Sequence, residues 1–247
     1  MVEIAMTLWE AGVTARNNET QNHRASMPDN INGVPIKDIL QPYEYKPELV
    51  ERIAHRKVKA PELAIVDPDP QWLDHFQTLK SRILAAFKET TNEGTADSVT
   101  ILSVNHIGST SVPNLPAKAV IDIDLVLSSN ALPFEPFYVP RLEAAGFQYL
   151  FREPGWHEHR FFCASEPMSC NLHVFGPQCS EVERHRIFRD WLREHRDDME
   201  LYASTKKECA ALSREKGEIM VDYTLRKEDV INQILTRAFE ALGIVSG

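Results

Sequence analysis

Two carboxylates on one short apolar run are the residues of this chain most suited to chemistry. Asp122 and Asp124 alternate with Ile121, Ile123 and Leu125. In a β-strand the two aspartates project from one face and the aliphatic residues project from the other, into a core. Because neighbouring carboxylates repel each other, the pattern favours a site in which a cation lies between them or one of them is protonated. The alternative is a half-exposed, solvated strand.

A turn rich in glycine and small hydroxyl residues precedes these aspartates by about a dozen positions, and it reads Gly108-Ser109-Thr110-Ser111. Glycine lets the backbone approach a ligand closely, and free N–H groups at such a turn can hold a phosphate or a carboxylate. Neither the turn nor the Asp-x-Asp pair is specific alone. Together, at this spacing, they predict a binding site.

A histidine is the third candidate for this site. His173 alternates with Asn171 and Phe175 on a predicted strand, so the three share one face, which we expect to be the carboxylate face. A histidine in place of a third acid weakens a two-metal mechanism, because magnesium prefers oxygen ligands. The alternative is a core histidine bonded to the backbone.

Four arginines form a stripe on a predicted helix at 181–196, and Lys206 and Lys207 follow on the next helix. The stripe consists of Arg186, Arg189, Arg193 and Arg196, with Ile187, Phe188, Trp191 and Leu192 on the opposite, core-facing arc. Aligned arginines can neutralise phosphates. The alternatives are a solvated face with local ion pairs and, for Arg189 and Arg193, side chains that point into the site.

The loop 156–160 contains Glu158 and His159 just before a predicted strand. Its polar and aromatic residues suit the rim of a pocket. An ordinary hairpin connection fits the same pattern equally well.

These motifs together resemble the GrpB (UPF0157) family, which implies a fold of the nucleotidyltransferase type. The resemblance covers about residues 64–242 and rests on His106-Ile-Gly-Ser-Thr-Ser-Val-Pro, Leu115-Pro-Ala-Lys118, Ile121-Asp-Ile, Asn171-Leu-His173-Val-Phe, Phe188-Arg-Asp-Trp-Leu-Arg193, Tyr202 with Lys206, and Tyr223 with Lys227. The chain departs from the family at Asn114, where a glycine is usual, and at Ala119, where a proline is usual.

Within this family the chain is similar to the fungal arginine-containing cyclodipeptide synthases in length, in its N-terminal arm and in its Asp-x-Asp pair. That resemblance implies an aminoacyltransferase of secondary metabolism, a tRNA-dependent cyclodipeptide synthase. It would join arginine from arginyl-tRNA to a second amino acid from another aminoacyl-tRNA. The implied partners are aminoacyl-tRNAs, with no cofactor, no membrane and no DNA.

Two other functions remain open. One is a metal-dependent nucleotidyltransferase or phosphotransferase that acts on a small molecule, with Mg²⁺ held by Asp122 and Asp124. The other is a non-catalytic module that binds a small ligand in the same pocket.

The synthase hypothesis assigns each candidate residue a role. The aspartates bind an ammonium or guanidinium group, a base deprotonates the attacking amine, and a hydroxyl accepts or hydrogen-bonds the acyl group. The catalytic residues are then Asp122, Asp124, His173 and Ser109. The substrate contacts are Gly108, Thr110, Ser111, Lys118, Glu158, His159, Tyr223 and Lys227. The tRNA contacts are Arg186, Arg189, Arg193, Arg196, Lys206 and Lys207.

Hydrophobic periodicity predicts the elements that position these residues. Asp69 and Pro70 open an amphipathic helix whose apolar stripe is Trp72, Phe76, Leu79, Ile83 and Phe87. Strands are predicted at 99–105, 119–127, 147–151, 160–164 and 171–175, and further helices at 139–145, 181–196, 199–212 and 227–242. The expected class is α/β (α+β), a nucleotidyltransferase-like mixed sheet with a helical C-terminal lobe. Residues 1–60 form a partly irregular N-terminal extension, and residues 61–247 form the GrpB-like domain.

Composition limits the partners and the compartment. The 247 residues include 36 acidic and 27 basic side chains, a net charge of -9, which excludes a generally basic nucleic-acid coat and requires any tRNA contact to be local. No apolar run approaches the roughly 20 residues that span a bilayer, and the N-terminus has no basic leader segment. The four cysteines contain no Cys-x-x-Cys pair. We therefore expect a cytoplasmic protein with reduced thiols.

Overall fold

A six-stranded mixed sheet with helices on both faces forms the body of the protein. The computed structural model describes residues 29–41, 46–59, 61–88, 99–218 and 220–245. The strands are β1 Asn30–Ile31, β2 Val34–Pro35, β3 Glu51–Arg52, β4 Ile101–Ile107, β5 Ile121–Leu127, β6 Gln148–Glu153, β7 His159–Ala164 and β8 Cys170–Phe175. The helices are α1 Ile36–Leu40, α2 Gln71–Ala86, α3 Glu135–Ala144, α4 Ser180–Glu194, α5 Arg196–Lys216, α6 Met220–Arg226 and α7 Glu228–Ala241.

The large sheet has the strand order β3-β6-β7-β8-β5-β4, and β1 and β2 form a separate small ribbon. All neighbours in the large sheet are antiparallel except β5 and β8, which are parallel. This arrangement, with the C-terminal helices, is the predicted mixed α/β class with a nucleotidyltransferase-like fold.

One face of the sheet packs on α2 and α3 to form the main core. The predicted stripe of α2 lies here, with Trp72, Phe76, Leu79 and Ile83 buried and Phe87 partly buried. Asp69 supports the start of this helix, since its Oδ1 accepts a hydrogen bond of 2.9 Å from the backbone N–H of Gln71. The aliphatic residues of β5 that were predicted to face a core are all buried in the same cluster.

The other face of the sheet is polar and lies under the C-terminal helices. The register pairs Asp122 with Asn171 and Asp124 with His173, so the aspartates of β5 and the polar residues of β8 form one surface. Helices α4, α5 and α7 pack on one another above it through Ile187, Leu192, Tyr202, Ile234 and Leu235.

The predicted elements are present with shifted boundaries. Helix α3 begins earlier than predicted, at Glu135. The helix predicted at 181–196 ends at Glu194, because the extended backbone of His195 separates it from α5. The short helix α6 was not predicted.

The described part of the N-terminal extension packs on this body. Val34 and Ile39 are buried against α4 and α7, and β3 extends the sheet beside β6. Residues 1–28, 42–45 and 60 of the predicted extension lie outside the described ranges. None of the described helices is both long and apolar enough to cross a membrane.

Candidate functional site

A cavity of about 470 Å³ lies between the polar face of the sheet and the C-terminal helices. The turn after β4 contributes Gly108, Ser109 and Thr110, and the sheet contributes Asp122, Asn171 and His173. The remaining polar and aromatic lining comes from Lys118 and from the helices, namely Glu181, Arg184, His185, Phe188, Arg189, Tyr202, Lys206, Tyr223, Thr224, Lys227, Glu228 and Asn232.

Asp122 lies directly against the glycine turn. Gly108 has φ +68°, and a Cβ atom on it would lie 2.5 Å from Oδ2 of Asp122, so this position requires glycine for both reasons. The other carboxylate oxygen accepts a hydrogen bond of 2.8 Å from Nδ2 of Asn171. Arg56 donates to Oδ1 of Asn171 at 3.1 Å, which orients that amide. Burial raises the pKa of Asp122, although Lys118 and the bond from Asn171 lower it in part.

Asp124 is fully buried behind Asp122 and is paired with a histidine. Its Oδ2 lies 2.9 Å from Nδ1 of His185, and Nε2 of the same ring lies 3.3 Å from Glu181. Burial alone lowers the pKa of His185, but the carboxylates of Asp124 and Glu181 outweigh burial and raise that pKa well above its usual value. The raised pKa favours the imidazolium form of His185, which supplies Asp124 with the cation expected beside the aspartates.

Three lysines converge on the same cavity. Nζ of Lys206 donates to the carbonyl of Pro116 at 2.6 Å, and Nζ of Lys118 donates to the sulfur of Met220 at 3.5 Å. Nζ of Lys227 lies 4.8 Å from the ring centroid of Tyr223. Among the residues that the structure describes, none of the three forms an ion pair with a carboxylate within 4.0 Å.

Lys206 is the most deeply buried of the three, with 2% of its surface exposed. Burial, together with the charge of Lys227, lowers its pKa to about 6. Its side chain therefore faces the cavity mainly as a neutral amine at pH 7.

The hydroxyl groups of the turn have different partners. Thr110 donates to the carbonyl of Val120 at 3.0 Å, and its oxygen lies 3.0 Å from Nε2 of His106. Ser111 donates to the carbonyl of Gly108 at 2.5 Å and lies outside this cavity. Ser109 is the hydroxyl of the turn that remains for a ligand.

Two histidines and a glutamate form a hydrogen-bonded chain beside the aspartates. Nδ1 of His173 lies 3.0 Å from Nε2 of His159, and Nδ1 of His159 lies 2.6 Å from Oε2 of Glu153. His159, predicted as a substrate contact, therefore lies behind His173 and does not line the cavity. Glu158, predicted with it, forms an ion pair with Arg160 at 2.8 Å.

The structure separates the six residues predicted to contact tRNA. Arg189 and Lys206 line the cavity, and Arg189 donates to the carbonyl of His106 at 3.0 Å. Arg193 donates to the carbonyl of Ser111 at 2.7 Å. The other three lie on the surface: Arg186 pairs with Glu183, Arg196 pairs with Glu200, and Lys207 is exposed.

The sequence reasoning missed several residues of the cavity, including Asn171, His185, Glu181 and Tyr202. A signal for part of this set was present, because Glu181, His185 and Arg189 recur at intervals of four residues. That spacing marks the helix face that lies over the sheet, and this face shares Arg189 with the arginine stripe.

The donor set does not fit the magnesium site of the metal-dependent alternative. No group of three or more His, Cys, Asp or Glu side chains in the described ranges is arranged to hold a metal ion. Asp124 offers one oxygen without a hydrogen-bond partner, but its other oxygen is bound to the His185 cation. With Asp122 held by Asn171, Asp124 held by His185 and three lysines in the same cavity, the two aspartates are a poor cage for Mg²⁺.

Comparisons with known proteins identify the relatives of this chain. The family model described as GrpB protein matches residues 62–237. A UPF0157 protein from Halalkalibacterium halodurans is 34% identical over 213 residues, which cover 86% of this chain and 97% of that protein. The crystal structure of the conserved protein GrpB from Enterococcus faecalis is 25% identical with a TM-score of 0.58, and the match covers 72% of this chain and 98% of that one. A dephospho-CoA kinase from Mycolicibacterium paratuberculosis is 25% identical over 237 residues, 84% of this chain and 54% of that protein.

These findings correct the predicted function. The relatives are GrpB and UPF0157 proteins, and the resemblance to fungal cyclodipeptide synthases is not supported. The prediction of a tRNA-dependent cyclodipeptide synthase that uses arginine was therefore wrong, whereas the prediction of aminoacyl-tRNA partners is not tested by these comparisons. The predicted metal-dependent nucleotidyltransferase has no better support.

Proposed function

Since the chain belongs to the GrpB family, we propose that it is a transferase whose cavity binds a small molecule through a phosphate group. The observation that carries this proposal is the convergence of Lys118, Lys206 and Lys227 on one cavity, where no carboxylate in the described part of the chain forms an ion pair with them. The proposal concerns the ligand and the class of reaction, and it requires no metal.

The charges of the cavity favour a dianion. Lys118 and Lys206 each have a pKa lowered by burial, and the charge of Lys227 lowers both further. A phosphate that binds among the three lysines relieves the repulsion between their charged forms and supplies oxygen acceptors for their N–H groups. Its charge also raises the pKa of Lys206, so binding at pH 7 should take up a proton.

The same cavity contains groups that can accept a proton from an attacking nucleophile. His173 lines the cavity, and its Nδ1 is bonded to His159, which leaves Nε2 for a substrate. Asp122 is a second acceptor, held by Asn171 against the glycine turn. Transfer of a group to a hydroxyl or an amine requires such a base. The kinase name of the Mycolicibacterium paratuberculosis relative agrees with a transferase.

Titration calorimetry on the full chain tests the proposal. The probes are inorganic phosphate, AMP and glucose 6-phosphate, with adenosine and glucose as unphosphorylated controls. We expect at least one phosphate compound to bind. Lys118→Ala and Lys227→Ala should each weaken its affinity about tenfold or more. The heats of binding in two buffers of different ionisation enthalpy should show proton uptake. Lys207→Ala is the matched control, because Lys207 neighbours Lys206 but is exposed, and it should bind normally. Failure of all three phosphate probes, or equal binding by the cavity variants, would contradict the proposal.

For the compartment we propose the cytoplasm. All four cysteines are free thiols, namely Cys163, Cys170, Cys179 and Cys209, as suits a reducing environment. Fractionation of cells that express a tagged chain tests this. The absence of a cofactor stays a prediction, which the absorption spectrum and metal content of the purified protein will check.

A further inference from the structure

We propose that Glu153, His159 and His173 form a proton relay that carries a proton from the lysine-lined cavity to a second, neighbouring cavity. This inference deepens the proposed function and rests on it, because it takes the lysine-lined cavity as the place where a substrate loses its proton. His173 lines that cavity. Glu153 lines the second cavity, of about 490 Å³, which Asp38, Gln41, Trp156 and His157 also line.

The geometry of the relay is set by three neighbouring strands. Glu153 on β6 is in register with His159 on β7, and β7 lies beside β8, which carries His173. The two links are 2.6 Å from Glu153 to His159 and 3.0 Å from His159 to His173, both within hydrogen-bond range. His159 uses both of its ring nitrogens, one to each neighbour, and His173 uses Nδ1 and leaves Nε2 for a substrate, as a relay in one direction requires.

Aromatic rings enclose the middle of the relay. The ring of His159 is buried, and the ring centroids of Phe175 and Trp156 lie 4.9 Å and 5.1 Å from it. Phe151 and Phe161 lie slightly farther away, at 6.1 Å and 6.2 Å. Within the described ranges, the imidazole of His159 hydrogen-bonds only to Glu153 and His173, so the hydrogen-bonded path for a proton runs along the chain.

The charges around the relay prevent either histidine from keeping the proton. Burial has the largest effect and lowers the pKa of both rings. The positive charge of His185 also lowers both pKa values, and Arg160 and His157 lower that of His159 further. Together they lower the pKa of His159 and of His173 to about 3, although Glu181 and Asp124 partly offset this.

Glu153 is the group that can hold the proton. Burial raises the pKa of its carboxyl group to about 7, so it gains and loses a proton near neutral pH. A proton that enters the relay therefore has one stable position, at the end that lines the second cavity.

The protons balance in three linked transfers. A hydroxyl or amine of the substrate gives its proton to Nε2 of His173, and the Nδ1 proton of His173 passes to Nε2 of His159. The Nδ1 proton of His159 then passes to Oε2 of Glu153, whose carboxylate becomes a carboxylic acid. Both imidazoles end neutral in the opposite tautomer, and Glu153 resets the relay when it releases its proton into the second cavity.

Nitrogen-15 NMR of the imidazole rings tests the relay in the resting full-length protein. When Glu153 is ionised, both rings should carry their proton on Nδ1, and when it is protonated both should carry it on Nε2. We therefore expect His159 and His173 to change tautomer together between pH 5.5 and 8.5, with one midpoint near 7. A histidine core with only a structural role would show no coupled change.

Two variants and one control assign the transition. Glu153→Gln should abolish it in both rings, and His159→Gln should abolish it in His173. Glu158→Gln neutralises an exposed carboxylate next to His159 but outside the relay, and it should leave the transition in place. An unchanged tautomer in the wild type, or a transition that survives Glu153→Gln, would overturn the relay. If either variant does not fold, the wild-type titration alone decides.

The outcomes separate the relay from the proposed function. Phosphate binding without the tautomer change removes the relay and keeps the ligand. The tautomer change without phosphate binding keeps the coupled chain and removes the proposed ligand. Where turnover is measured, Glu153→Gln should lower kcat about tenfold or more, remove the limb of the pH profile near 7 and leave KM unchanged.

Discussion

The contact between Gly108 and Asp122 shows how single residues define the site. Gly108 has φ +68° and ψ -173°, a backbone conformation essentially limited to glycine, and the Asp122 carboxylate occupies the space above its Cα. The turn and the acid therefore depend on each other. Arg189 and Arg193 bind the carbonyls of His106 and Ser111 and hold the same turn from the helix side.

Gly108→Ala tests this dependence. We expect a loss of about 2–4 kcal/mol in the free energy of unfolding, because backbone strain adds to a clash with a carboxylate that Asn171 holds in place. Gly217→Ala is the control for a positive φ without a clash, since Gly217 has φ +64° and ψ +30° and no described atom lies within 4 Å of its added Cβ, and it should lose only about 1 kcal/mol. Equal losses in the two variants, measured by urea unfolding, would show that Asp122 does not confine the turn.

The sequence predicted residues of the site where local alternation decides their orientation. Asp122 and Asp124 share a face because they lie two positions apart on a strand, and this required no knowledge of the rest of the fold. The partners of these aspartates could not be predicted in this way. Asn171 reaches Asp122 through the register of β5 and β8, and His185 reaches Asp124 through the rotation of α4 over the sheet.

Among the elements, the small N-terminal ones are joined to the body more firmly than their composition suggests. The segment 29–41 is tied to α4 twice, by Arg184, which donates to the carbonyls of Ile39 and Gln41 at 3.1 Å and 2.8 Å, and by Asn32, which donates to Glu183. This segment lies outside the residues matched by the family model. Its prolines and polar residues predicted an irregular arm. The contact with the body buries only Val34 and Ile39 of this segment, and two apolar residues are too few to form a recognisable sequence pattern.

Ile39→Ala tests whether α1 is part of the cooperative fold. Ile39 is 0% exposed between α4 and α7, so its truncation should cost about 2–4 kcal/mol of unfolding free energy. Leu49→Ala, in the neighbouring segment and at a residue 47% exposed, should change stability by less than about 0.5 kcal/mol. If urea unfolding gives the same midpoint for Ile39→Ala and the wild type, α1 unfolds independently of the body.

At the scale of the whole molecule, charge is distributed unevenly between surface and interior. The chain has a net charge of -9, yet the cavity contains three lysines and buried histidines lie around it. Burial and nearby arginines lower the pKa of His106 to about 4. Like His159 and His173, it is therefore neutral in the folded state at pH 7. The composition predicted the acidic surface but gave no sign of this basic interior.

Stability should therefore fall as the solution becomes acidic. The three histidines become protonated near pH 6.5 in the unfolded chain but only at lower pH in the native state. Their contribution to the free energy of unfolding is therefore present above about pH 6.5 and is lost as pH falls. Glu153 acts in the opposite direction, because the native state keeps its proton up to about pH 7. Together the four groups give a loss of about 3 kcal/mol per pH unit between roughly pH 6 and 5.

Urea unfolding at pH 7, 6 and 5 measures this slope. His106→Gln should reduce it by about 1.4 kcal/mol per pH unit, because one fewer proton is then linked to unfolding. A stability that stays level or rises between pH 6 and 5 would show that these histidines are protonated in the native state.

The neutral amine of Lys206 gives the cavity a distinctive reactivity. An ordinary lysine at pH 7 is almost entirely protonated and reacts slowly with electrophiles, whereas an amine with a pKa of about 6 is mostly in its nucleophilic form. A small acylating reagent, or an aldehyde with a mild reductant, can reach this amine only through the cavity. A compound that binds in the cavity should slow the modification of Lys206. Reduced labelling of Lys206 can therefore identify ligands in a competition assay.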